Sequence, residues 1–99
     1  MEDFANLGFE ALQIWRLEEP NPIKLRRVDF GKFYNEHSYV IIRNLEDSSS
    51  VHLWEGEKST KNYLSKAEYI CKTMSANNLL YREFQGNESS LFMSYFSKL

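Results

Sequence analysis

One cysteine, two prolines and four glycines in ninety-nine residues leave little material for crosslinks, breaks or flexible linkers. Cys71 has no internal partner, so a disulfide framework is excluded and a reducing cytosol is the simplest compartment. No apolar run approaches the length of a signal peptide or a membrane span. Charge of one sign is also lacking: twelve basic against fourteen acidic residues give a net −2, without the broad positive field of a nucleic-acid binder. Enzyme signatures are missing as well. There is no Gly-rich phosphate loop, no His/Cys metal spacing and no Gly-x-Ser-x-Gly turn, so the chain reads as a non-enzyme without a metal centre or cofactor.

Aromatics are abundant: seven Phe, six Tyr and two Trp, within a hydrophobic content of 42%. With 26% charged residues this is the composition of one folded domain covering residues 1–99. Cys71 lies in an apolar helical stripe and reads as a small core residue. The local cluster Lys24-Leu25-Arg26-Arg27 has two readings, a solvated strand face or a weak contact for anionic phospholipid through Lys24, Arg26 and Arg27.

The periodicities predict an α/β order. A short helical turn is expected over 3–11, then a strand over 12–18, stopped by Pro20-Asn21-Pro22. A more exposed strand is expected over 23–28, followed by a turn with Gly31 at its bend. Four consecutive apolar residues, Tyr39 to Ile42, mark a strand over 38–44 that is buried on both faces, with a partner over 51–55 after the polar turn 46–50. A helix is predicted over 60–76, capped by Ser59 or Thr60 and stopped by Asn77-Asn78. At about 1.5 Å per residue it would be a rod of roughly 25 Å. A last strand over 79–84 and a turn at Gly86 follow. Asn87 is then read as the cap of a short helix whose Leu91, Phe92, Tyr95 and Phe96 cover the opposite sheet face.

On the long helix Tyr63, Leu64, Ala67, Ile70, Cys71 and Met74 share an arc of about 120° and should face the sheet. Opposite them lie Asn62, Ser65, Lys66, Tyr69, Lys72, Thr73 and Ala76. Tyr69 is the one large aromatic on that polar side, flanked by small residues, in the manner of a helix that anchors in a partner's groove.

Four signatures occur in order: Leu12-Gln13-Ile14-Trp15-Arg16; Gly31-Lys32-Phe33-Tyr34 running into Ser38-Tyr39-Val40-Ile41; His52-Leu53-Trp54-Glu55-Gly56; and Arg82-Glu83-Phe84-Gln85-Gly86-Asn87-Glu88-Ser89. Together they resemble one domain of the gelsolin/villin/severin family of actin-binding proteins, most closely the first domain. A Phe-x-x-x-Gly element at Phe4 to Gly8 precedes them, and the likeness extends to Phe96, as in a free-standing module. The resemblance implies a gelsolin-like domain, a five-stranded mixed sheet between one long helix and one short helix. It further implies a cytoplasmic, cytoskeletal protein that docks its long helix in the barbed-end cleft between actin subdomains 1 and 3. Such docking sequesters monomers and caps filament ends. The aligned actin-binding residues are Asn62, Ser65, Lys66, Tyr69, Lys72, Thr73 and Ala76.

Calcium marks a departure from the family pattern. The family's Gly-Asp pair is Glu36-His37 here, its helix-start Glu is replaced by Ser59, Thr60 and Lys61, and the chain ends at Leu99, before the segment that supplies a carbonyl. The Asp of a second site aligns near Cys71 or Lys72. Calcium independence is therefore expected, since the ion takes six to eight oxygens. Two alternatives remain at this stage: a gelsolin-fold interaction domain for a non-actin protein, and a small enzyme working through Glu36 and His37.

Overall fold

A computed structural model of the chain describes residues 11–44, 49–74 and 79–96. The N-terminal turn with its Phe4–Gly8 element, the turn at Glu46 and Asp47, Ala76 and the Asn77–Asn78 stop lie outside these residues. The strands are β1 (Leu12–Leu17), β2 (Ile23–Lys24), β3 (Ser38–Asn44), β4 (Ser49–Glu55) and β5 (Leu80–Phe84), with helices α1 (Leu64–Met74) and α2 (Ser90–Ser94). They form one sheet in the order β2-β1-β3-β4-β5. Every pairing is antiparallel except β4 with β5, which α1 joins as a crossover.

The apolar run Tyr39–Ile42 occupies the central strand and is buried on both faces, as its composition requires. Alternate residues feed two cores. Leu17, Val40, Ile42, Val51 and Leu53 meet Tyr63, Ala67 and Cys71 of the α1 layer, while Ile14, Tyr39, Ile41 and Trp54 meet Phe92 of α2. Phe33 lies in the second core, stacked on Trp54 at 5.1 Å and edge-on to Tyr39 at 5.0 Å.

Four local expectations need correction. The exposed strand over 23–28 is reduced to Ile23–Lys24, because Leu25 turns into the second core and Arg27–Asp29 close a 3-10 turn whose Asp29 N–H donates to Arg26 O. The long helix begins at Leu64, later than Thr60: Ser59 is engaged with Ser38, Oγ to Oγ at 2.9 Å, and Asn62 Oδ1 accepts from Leu64 N–H at the helix entry. The short helix is capped by Ser89, which accepts from Phe92 N–H, whereas Asn87 closes the preceding turn through its backbone. Leu91 points outward, 44% exposed, while Phe92, Tyr95 and Phe96 take the sheet-facing positions.

Gly56 ends β4 where the chain runs against the 35–37 loop. Its N–H donates to His37 O at 3.0 Å, and Lys58 N–H donates to Asn35 O at 2.8 Å. A Cβ at this glycine would stand 2.3 Å from Asn35 O, so backbone has to move to admit any side chain. Gly56→Ala is expected to cost about 1–3 kcal/mol, read as a lower urea midpoint. An unchanged midpoint would contradict this close approach.

Candidate functional site

The buried arc of α1 fixes what its other side presents. Ala67 and Cys71 are buried against the sheet, with Leu64 and Ile70 half-buried beside them. The phase predicted from the sequence places Tyr69 outward, and it is 71% exposed in the middle of the helix. Ser65, Lys72 and Thr73 are exposed around it, and Asn62 is exposed at the helix entry. Lys66 is half-buried, its Nζ 3.9 Å from Glu19 Oε2, which draws this cation toward the β1–β2 connection. Thr73 Oγ1 donates to Tyr69 O at 3.0 Å, so its hydroxyl is turned along the helix and its methyl is left for contact.

The face is a ridge between two grooves. One, of about 280 Å³, is lined by Gln13, Trp15, Pro22, Ile42, Tyr69, Ile70 and Thr73. The other, of about 710 Å³, is lined by Ser65, Glu68, Tyr69, Cys71, Lys72, Leu79 and Leu80. Tyr69 borders both. Burial pushes the Cys71 thiol upward, which favours its protonated form.

No family model matches the chain. In an alignment of 97 positions that covers 93% of the chain, the chain is 37% identical to the macrophage-capping protein of Rattus norvegicus. In an alignment of 106 positions that covers 94% of the chain, it is 33% identical to the gelsolin of Drosophila melanogaster. The chain is a gelsolin-like domain. Its fold superimposes with a TM-score of 0.63 and 14% identity on a chain of the Thorarchaeota ProGel/rabbit actin complex, covering 85% of this chain and 97% of that one. The gelsolin-like domain spans 28% of the macrophage-capping protein and 13% of the Drosophila gelsolin.

Glu36 and His37 line a recess of about 310 Å³ with Glu18, Glu19, Ser59, Thr60, Lys61 and Tyr63. Burial, reinforced by the Glu19 and Glu18 carboxylates, pushes the Tyr63 phenol upward. Among the described residues no three His, Cys, Asp or Glu side chains converge as a metal centre. The basic cluster is split by its own partners. Lys24 Nζ lies 5.9 Å from the Trp15 ring centroid, Arg26 Nε is 3.7 Å from Asp29 Oδ2, and Arg27 belongs to the 3-10 turn.

A buried polar network in the gelsolin-like domain escaped the sequence reading. Glu83, on β5, accepts from Ser89 N–H at 2.7 Å, from Ser89 Oγ at 2.8 Å and from His52 Nδ1 at 2.9 Å. With Nδ1 donating, His52 Nε2 is the acceptor for Tyr95 O–H at 2.8 Å. Burial lowers the His52 pKa and the Glu83 carboxylate opposes that shift only in part, so the folded imidazole is held neutral. The network ties β4 and β5 to the cap of α2. The only signal in the sequence was an acid, Glu83, at an inward position of an otherwise ordinary strand.

Proposed function

We propose that this gelsolin-like domain binds actin through the outer face of α1, seating Tyr69 in the barbed-end cleft between actin subdomains 1 and 3. It thereby holds monomers and caps filament ends, as a non-catalytic protein of the cytoplasmic actin cytoskeleton. The observation that carries this reading is the exposure of Tyr69 at the centre of a helix whose other side is locked into the core. An exposed aromatic on a rigid ridge loses little side-chain freedom on binding and buries a large apolar area. Two relatives add support: a protein named for capping at 37% identity, and a chain of similar extent and fold in a complex with rabbit actin.

The same reading makes binding independent of calcium. His37 offers nitrogen where a hard cation takes oxygen, and the helix-entry residues Ser59, Thr60 and Lys61 bring no carboxylate. Gel filtration with monomeric actin and co-sedimentation with filaments test the interaction. Affinity is expected to be equal in excess calcium and in excess chelator. Calorimetry on the isolated domain, free of actin's own divalent ion, should show no calcium heat at micromolar concentration. A one-site calcium isotherm there, or actin binding that vanishes in chelator, would contradict the reading.

A further inference from the structure

The smaller groove beside α1 has a shape and a chemistry that the ridge alone does not use. Its walls are Trp15, Pro22, Ile42, Ile70, Tyr69 and Thr73, and none of its lining residues carries a charge. Trp15 Nε1 donates to Gln13 Oε1 at 3.2 Å, so the one hydrogen-bond donor of the indole is already engaged within the protein. At about 280 Å³ the groove lies at the low edge of the roughly 300–1,000 Å³ typical of small-molecule sites, a size that suits a side chain better than a cofactor.

We infer that this groove receives an uncharged apolar side chain of the same actin molecule that α1 contacts, an inference that rests on the actin reading above. Continuity carries it. Tyr69 and Thr73 belong both to the proposed contact face and to the groove wall, so a partner that buries Tyr69 also covers the groove mouth. An empty apolar groove under that cover would forfeit the contacts of its lining, whereas a filled one forms the dry, well-packed centre that dominates binding energy. The actin interface is thus a ridge with a socket beside it, and Trp15 of β1 belongs to it although it lies outside α1.

The test uses 5-fluorotryptophan in the whole chain and fluorine NMR with unlabelled actin. Trp54 is buried in the opposite core and serves as the internal reference. At saturation the Trp15 resonance is expected to change chemical shift while Trp54 holds its own. Pro22→Phe, which fills the groove from the wall opposite α1, is expected to weaken actin binding tenfold or more without lowering the melting temperature. An unmoved Trp15 resonance in a saturated complex overturns the socket, and so does full affinity in a folded Pro22→Phe domain; in either case the ridge stands if Tyr69→Ala still weakens binding. Absence of any complex with the wild-type domain defeats the actin reading and the socket together.

Discussion

Tyr69→Ala is expected to weaken actin binding by about thirtyfold or more while the domain keeps its stability within about 1 kcal/mol. The phenol ring is 71% exposed in the free domain, so its removal opens no cavity and strands no buried polar group. In the complex the same ring would be buried at the centre of the interface, where truncating an aromatic commonly costs about 2 kcal/mol or more, and each 1.4 kcal/mol is a factor of ten in affinity. Leu64→Ala provides the opposite pattern. Leu64 packs against the core beneath α1 and lines neither groove, so its loss should lower the unfolding midpoint and alter binding less. Equal destabilisation by both substitutions would contradict the helix phase. Equal affinities would contradict the use of this face.

The second large effect is on folding. Glu83→Ala is expected to cost about 3 kcal/mol or more, because it takes the acceptor from three buried or half-buried donors at about 1–3 kcal/mol for each left unsatisfied. At 1% exposure Glu83 is the sole carboxylate accepting from Ser89 N–H, Ser89 Oγ and His52 Nδ1, and water cannot readily replace it. Against a typical domain stability of about 5–15 kcal/mol this is a large share. The loss should be concentrated at α2, whose cap is Ser89 and whose following residue Tyr95 donates to His52. The network also sets a pH dependence. The folded His52 pKa lies below its ordinary value of 6.5, so as pH falls through 6.5 the unfolded chain takes up a proton that the folded chain refuses. Stability contributed by the neutral imidazole is therefore complete above 6.5 and declines on acidification until the folded pKa is reached. Urea titrations at successive pH values measure the decline, and His52 imidazole shifts in NMR should show no charging at 6.5. A His52 that titrates at or above 6.5 in the folded domain would contradict the neutral state of its imidazole.

Much of this fold was legible because burial on two faces leaves a continuous apolar run and burial on one face leaves a period. Tyr39–Ile42 marked the central strand, and the arc through Tyr63, Ala67 and Cys71 set the rotation of α1, and with it Tyr69. Local ends were less legible. Thr60 could have capped the helix, but the chain before Leu64 is held by Ser38–Ser59 and by the Gly56 crossing, contacts made across some twenty residues of sequence. Ser89 won the α2 cap from Asn87 because Glu83 holds its N–H and hydroxyl in place. Leu91 was placed in the core by its character alone, although five helical residues can direct only part of their surface inward. The groove was invisible for a different reason. Trp15 and Pro22 join Tyr69 only through the packing of β1 and its connection against α1, and no motif records that meeting.

The central claim is that α1 is the surface that meets actin, and a photocrosslinker placed at Tyr69 tests it most directly. p-Benzoylphenylalanine at this position, irradiated with monomeric actin, should give a one-to-one adduct whose attachment maps to the cleft between actin subdomains 1 and 3. The same probe at Met93, exposed on α2 across the sheet, should give none. Binding that persists without an adduct at Tyr69, or an adduct formed from Met93 instead, would contradict the claim.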